Sequence, residues 1–257
     1  MSNEFHNFLL KDWRNVTDKI TYFISYQVKS RKKEGVVIGL SGGIDSSVCL
    51  VLATKAIGNR RTHGLFLPEK GIAPRVDVEN VRYLARSSKI KYKEIQINKG
   101  KSILLTSLRR ERLASGNFSA RLRMALLYYY AATNNLLVLG TADKSELMLG
   151  YFTKFGDSGA DIFPIGELYK TQVKVLASHL LLPENIIKQK SSPRFWKGQL
   201  AEKEIGLPYH EIDRILESYR INDLQNCSIS KRKIGKITEM IRKNQHKMEE
   251  VPICNPF

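Results

Sequence analysis

The run Ser41-Gly42-Gly43-Ile44-Asp45-Ser46-Ser47 concentrates groups able to do chemistry. Two glycines let the backbone turn tightly and approach a ligand, three serine hydroxyls can donate or accept, and an acid stands among them. Before it, Val36-Val37-Ile38-Gly39-Leu40 is apolar without interruption and reads as a strand buried on both faces. After it, Val48 to Ile57 is long enough to be a helix. A strand, a glycine turn and a helix start make an anion site, because the first N–H groups of the helix point at the ligand. Gly39, Leu40, Ser41, Gly42, Gly43, Ile44, Asp45 and Ser46 are the candidate phosphate contacts. No Gly-Lys-Ser/Thr follows, so the loop is not a Walker A.

A helix N-terminus contributes only about 0.3–1 kcal/mol per charge at an exposed site, too little to hold a triphosphate without cations. Asp45 has the wrong charge to touch phosphate, but it is a hard oxygen ligand, and Mg²⁺ between the two resolves the conflict. The plain alternative, that Asp45 or Ser41 is an N-cap, explains one residue and not the whole Ser-Gly-Gly-Ile-Asp-Ser pattern. This loop resembles that of the ATP pyrophosphatases, which cleave ATP between the α and β phosphates. That superfamily includes NAD, GMP and argininosuccinate synthetases and tRNA-modifying enzymes.

The elements that must position the loop follow from periodicity. The 257 residues, 42% of them hydrophobic, are enough for one domain with helical additions, 1–30 as an N-terminal helix and 31–257 as the core and C-terminal helices. Apolar spacing predicts an amphipathic helix over Glu4 to Lys29, a second strand over His63 to Leu67 and a helix over Asp77 to Lys89. A third strand is expected over Tyr92 to Ile97, and helices over Lys101 to Arg112 and Asn117 to Asn134, with Gly116 as the break between them. Leu136 to Leu139 reads as a fourth strand, followed by helices at Tyr169 to Leu180 and Ser230 to Asn244. Alternating strand and helix imply a doubly wound α/β fold with a parallel sheet covered by helices, and ligands at the carboxyl ends of its strands. Thr141, just past the fourth strand, should then share a crevice with Ser41.

The net charge of +17 invites an anionic small molecule, a nucleic acid or an acidic membrane surface, but the Lys and Arg residues are spread along the chain. Cys49, Cys227 and Cys254 have no paired spacing and read as free thiols in a reducing compartment. The N-terminus lacks the basic flank and apolar stretch of a signal peptide, and no apolar run approaches a membrane span. A soluble, cytoplasmic protein without a membrane partner is expected.

From Gly140-Thr141 the chain continues through Ser145-Glu146, Gly150-Tyr151-Phe152-Thr153-Lys154, Gly156-Asp157, Gly159-Ala160-Asp161 and Lys170-Thr171-Gln172-Val173. This order, with Asn117-Phe118-Ser119-Ala120-Arg121, resembles NAD synthetase over about Val36 to Lys247. The resemblance implies the adenine nucleotide α-hydrolase-like, Rossmann-like fold. It also implies ATP-dependent amidation of deamido-NAD to NAD: the nicotinate carboxylate attacks the α-phosphorus, and ammonia displaces AMP from the adenylate. Residue by residue, it implies Asp45 and Glu146 on Mg²⁺, Thr141, Lys170 and Ser192 on ATP, and Arg121, Lys154, Asp161, His246 and Lys247 on deamido-NAD. Asp45 and Lys170 would be the catalytic pair. A homodimer with the N-terminal helix as a contact is expected, and free ammonia or a separate glutaminase subunit would supply the nitrogen.

The segment Ser191-Ser192-Pro193-Arg194-Phe195-Trp196-Lys197-Gly198-Gln199-Leu200-Ala201-Glu202 departs from the family pattern. Arg194 stands at a frequently acidic or small position, and Ala201 stands where the family has an Asp. Two other readings share the loop. A tRNA-modifying or other adenylating enzyme would suit the charge, but nothing resembles an added RNA-binding module or a Cys pair, so a nucleic-acid partner is not expected. A non-catalytic nucleotide-binding protein would be expected to lack metal ligands, yet Asp45 and Glu146 are both present.

Overall fold

In the computed structural model, which describes residues 9, 11–109 and 111–256, four parallel strands form the centre. They are β1 (Gly35–Leu40), β2 (Thr62–Phe66), β3 (Lys91–Glu94) and β4 (Leu136–Leu139), in the spatial order β3-β2-β1-β4. Val36 pairs with Thr62 on one side and Leu137 on the other. The chain therefore walks outward from β1 to β3 and returns to the opposite side of β1. That reversal opens a crevice between the carboxyl ends of β1 and β4.

Strand alternation divides the core between two faces. Val36, Ile38, Leu40, Leu137 and Leu139 pack with α1 (Trp13–Ser30), α2 (Ile44–Ile57) and α7 (Lys170–His179). Val37, Leu65, Leu136 and Val138 face α5 (Arg112–Thr133), whose Leu126, Leu127 and Ala131 cover them. Between these elements lie α3 (Arg75–Ser87), α4 (Asn98–Leu104) and α6 (Lys144–Leu149). A further cluster of Leu149, Tyr169, Ile212, Leu216 and Ile237 joins α6 to the C-terminal helices. These are α9 (Ala201–Ile205), α10 (Tyr209–Arg220) and α11 (Lys231–Asn244), whereas α8 (Glu184–Ile187) sends Ile186 into the core beside α1, α2 and α7.

The doubly wound α/β expectation is met, with corrections at element ends. The N-terminal helix α1 begins at Trp13, because the Asp12 side chain accepts the Asn15 N–H at 3.1 Å and caps it. Residues 4–8 and 10 of the expected helix lie outside the described residues. Strand β3 ends early at Glu94: it is a charged edge strand, an arrangement that discourages pairing with other chains. The helix expected over Lys101 to Arg112 is instead the short α4, and Gly116 lies inside α5. Glu111 starts α5 by accepting the Leu113 N–H at 2.9 Å and the Ala114 N–H at 2.5 Å. Gly116 is there for its missing side chain, since a Cβ would collide with the Phe195 ring. Among the described residues no helix is long and apolar enough to cross a membrane.

Candidate active site

The phosphate loop is braced by its own serines. Ser41 N–H donates to Ser46 Oγ at 3.2 Å, and Gly43 N–H donates to Ser41 Oγ at 3.2 Å. The Ser46 and Ser47 hydroxyls both donate to Gly43 O, at 3.2 and 2.7 Å. Gly42 adopts φ +81°, and a Cβ there would run into the backbone of Asp77 in α3. Gly43 caps α2 without a side-chain bond, so neither Ser41 nor Asp45 is spent as an N-cap. The first turn of α2 therefore keeps its N–H groups for an anion.

Beside the loop lies a buried ion cluster. The Lys170 ammonium is 2.8 Å from Asp45 Oδ2, 3.0 Å from Asp143 Oδ2 and 2.9 Å from Glu146 Oε1. Lys170 and Asp143 are fully buried, whereas Asp45 and Glu146 keep about a fifth of their side chains exposed. Burial pulls the ammonium toward neutrality, but the three carboxylates outweigh it and hold Lys170 well above its ordinary range. Burial drives the Asp143 carboxyl well up, against the Lys170 charge, and pushes Glu146 up to about 7 for the same reason. One ammonium thus faces three carboxylates, and Asp45 Oδ1 is buried without a hydrogen-bond partner. That orphaned oxygen at the edge of an over-acidic cluster is what a hard divalent cation would satisfy.

Helix α7 is pinned so that its first residue reaches this cluster. Ser145 Oγ accepts the Lys170 N–H at 2.9 Å and donates to Asp213 Oδ1 at 2.6 Å. Asp213 Oδ2 accepts both the N–H and hydroxyl of Thr171, at 2.8 and 2.7 Å. The cation at a helix start, electrostatically unfavourable in isolation, is thus compensated by carboxylates within the protein.

Two adjoining hollows open at the switch point. The larger, about 200 Å³, is lined by Gly39, Leu40, Ser41, Thr141, Arg123 and Ser192 among others. Its walls are mostly apolar, as suits a nucleoside. The smaller is polar and is lined by Ser41, Gly43, Ile44, Asp45, Asp77, Ser192 and Arg194 among others. Ser41, Asp77, Ser192 and Arg194 border both.

The residues expected on deamido-NAD gather elsewhere, around the turn after α6. Arg121 Nε donates to Lys154 O at 3.3 Å, and Lys154 Nζ donates to His246 O at 2.7 Å. Lys247 Nζ donates to Gly150 O and Phe152 O at 2.7 and 3.1 Å. None of the four lines the larger hollow, where Arg123 appears instead. Asp161 is engaged at the end of the sheet, accepting the Val138 N–H at 2.7 Å and the Tyr128 hydroxyl at 3.3 Å.

Sequence reasoning missed Asp143, Asp213 and Asp77. Asp143 was detectable: Asp-x-x-Glu at a helix start is a capping pattern, and Asp143 does accept the Glu146 N–H at 2.8 Å. Asp213 stands between Glu211 and Glu217 on α10 and had no such local signal; only its burial beside Ile212, Ile215 and Leu216 sets it apart.

A parallel sheet with a serine-glycine phosphate loop at its switch point and a carboxylate–lysine cluster alongside defines an α/β nucleotide-binding protein of the adenine nucleotide α-hydrolase-like fold. Within that class the chain belongs to the NAD synthase family, whose model matches residues 16–251. It is 40% identical over 244 residues to an NH(3)-dependent NAD(+) synthetase of Archaeoglobus fulgidus, covering 95% of this chain and 97% of that protein. Among solved structures it is similar to an NMN synthetase from Francisella tularensis, with a TM-score of 0.88, 34% identity and coverage of 96% of this chain and all of that one. An NH3-dependent NAD synthetase from Campylobacter jejuni, solved with nitrate, gives a TM-score of 0.83 at 33% identity, covering 95% of this chain and 100% of that one.

Proposed function

We propose that this protein is a C–N bond-forming ligase that amidates deamido-NAD to NAD with ammonia, consuming ATP and releasing AMP and pyrophosphate. The observation that carries this reading is the meeting of Asp45, Glu146 and Lys170 beside the phosphate loop, in a member of the NAD synthase family. The substrate supplies its own nucleophile, the nicotinate carboxylate, so no side chain need become covalently attached. What the protein must do is align that carboxylate with the α-phosphorus and stabilise the charge that develops as pyrophosphate leaves.

The adenosine half of ATP fits the apolar hollow beside Thr141, and the phosphates fit the loop at Gly39 to Ser46. Ser192, bordering both hollows, is placed to meet them where they join. Asp45 and Glu146 are the residues that would hold Mg²⁺, and the orphaned Asp45 Oδ1 fits that role. When bound, the ion would neutralise phosphate charge. Arg121, Lys154, His246 and Lys247 offer a separate basic shelf for deamido-NAD. Asp161 could join only by exchanging its bonds to Val138 and Tyr128. A homodimer would complete the dinucleotide site, with α1 presenting the exposed, stacked Tyr22 and Tyr26 to a second copy. The protein would work in the cytoplasm on free ammonia or on ammonia from a separate glutaminase.

A second reading has its own support: the likeness to an NMN synthetase raises a mononucleotide acceptor with the same nicotinate carboxylate. One assay separates them. The protein is mixed with Mg-ATP, ammonium and either deamido-NAD or nicotinate mononucleotide, and amide and AMP formation are followed. Higher kcat/KM with deamido-NAD is expected. Preference for the mononucleotide would replace the first reading with the second, and AMP release that requires tRNA would overturn both.

A further inference from the structure

Arg194 borders the polar hollow that the phosphate loop also lines. Its Nε is 2.8 Å from Asp77 Oδ2 and its Nη2 donates to Asp77 Oδ1 at 3.0 Å. Asp77 is only 2% exposed, also accepts from Gln189, and belongs to the stretch of α3 whose backbone Gly42 abuts. The grip is geometrically specific, because a guanidinium matches a carboxylate with two parallel N–H bonds. Those bonds use two of its five donors.

The surrounding chain holds the residue in place. Arg194 adopts φ +55°, a left-handed conformation unusual for a residue with a side chain, and its N–H donates to Ser192 Oγ at 3.2 Å. The next residue, Phe195, packs into the notch that Gly116 leaves in α5. Trp196 then lies under the Arg112 guanidinium, 4.0 Å from the ring centroid. The segment is thus clasped between α3 and α5 with Arg194 at the junction of both hollows.

An ion pair in such a place could serve only to fasten the segment. Charge argues for more. The cation expected on the phosphates, Lys170, already faces three carboxylates. The polar hollow itself contains Asp45 and Asp77, and the positive side chains on its wall are Lys190 and Arg194. Of these two, Arg194 is the one held rigidly by a buried partner.

Resting on the adenylation reading above, we propose that Arg194, oriented by Asp77, binds the β and γ phosphates of ATP and carries charge on the departing pyrophosphate. As the carboxylate oxygen bonds to the α-phosphorus, the bond from that phosphorus to the bridging oxygen breaks and its electron pair leaves with pyrophosphate. A guanidinium aimed at those oxygens stabilises them most in the transition state. Asp77 is a positioning residue: it fixes the plane of the fork.

The test uses Arg194→Ala, Arg194→Lys and Asp77→Asn in the full chain. Two readouts are compared: steady-state kinetics for each substrate, and calorimetric binding of inorganic pyrophosphate without turnover. Arg194→Ala should lower kcat/KM for ATP by about 10²-fold, the range for losing one preorganised donor to developing charge. It should also weaken pyrophosphate binding at least tenfold, leaving KM for ammonium unchanged. Arg194→Lys should recover part of the binding and less of kcat, and Asp77→Asn should shift both in the same direction by less. Unchanged pyrophosphate binding in folded Arg194→Ala protein, or in Arg194→Gln protein where Arg194→Ala does not fold, overturns the inference. So does an equal loss toward all substrates accompanied by a lowered melting temperature, which would make the pair a fastener. A wild type that forms no amide defeats the proposed reaction, while the Arg194 dependence of pyrophosphate binding still decides this point.

Discussion

Lys170 Nζ lies 2.8 Å from Asp45 Oδ2, tying the first turn of α7 to the first turn of α2 through an ammonium with no solvent exposure. The contact joins the two sides of the sheet's crevice, and Asp143 and Glu146 reinforce it from α6 and its cap. Replacing Lys170 with Ala would strand three carboxylates. Removing one partner of a buried ion pair costs about 3–5 kcal/mol, so Lys170→Ala should unfold at distinctly lower urea and form no product. A variant with wild-type urea midpoint would mean that the carboxylates do not depend on this ammonium.

Asp213 acts at one remove. Its carboxylate accepts from Ser145 and twice from Thr171, and Ser145 in turn holds the Lys170 N–H. Asp213→Ala would orphan buried donors, each costing roughly 1–3 kcal/mol. The expected outcome is a loss of about 3 kcal/mol in chemical denaturation, with a lower kcat because Lys170 loses its orientation. Asp213→Asn keeps an acceptor oxygen and should lose less of both. If Asp213→Ala lowers kcat while stability holds, Asp213 must act on the reaction more directly than this geometry allows.

A pH effect follows from His63, buried in β2 with Nδ1 3.1 Å from the Tyr130 hydroxyl. Burial pulls its imidazole below the ordinary value and the nearby Lys91 charge adds to this, against a backbone hydrogen bond at Arg60. Lys93 also lies 5.5 Å from the Tyr130 ring centroid, another cation on the same side. The folded state therefore takes up the proton less readily than the unfolded chain. Above the unfolded pKa of about 6.5 both are neutral, and stability is lost as pH falls below it toward the lowered folded value. Urea midpoints at pH 7.5 and 5.5 should differ more for wild type than for His63→Gln. Equal differences would remove His63 as a source of the pH dependence.

The sheet was legible because β1 and β4 are buried on both faces and, apart from Gly35 and Gly39, consist of Val, Leu and Ile. The phosphate loop was legible because its glycines and serines serve backbone geometry that few other residues allow. The break expected at Gly116 failed because that glycine answers to Phe195, remote in sequence, and helical propensity around it is otherwise sufficient. Asp77 and Asp213 escaped for the same kind of reason: each looks like a surface acid on a helix until tertiary packing buries it. Local pattern shows what a segment can form, and long-range contacts decide what a buried charge must meet.

Gly42 and Gly58 share φ +81° but differ in surroundings, which makes them a matched pair of probes. Around Gly58 a Cβ would meet nothing within 4 Å, so Gly58→Ala should incur backbone strain alone. That strain is of order 1–3 kcal/mol, and ATP binding should stay unchanged. At Gly42 the Cβ would also strike the Asp77 backbone, so relief of that clash must move either the loop or α3. Gly42→Ala should therefore lose ATP affinity by far more than its stability falls, measured by calorimetry against the Gly58→Ala control. Equal ATP affinity in the two variants would show that the close seating of the loop on α3 is not required for nucleotide binding.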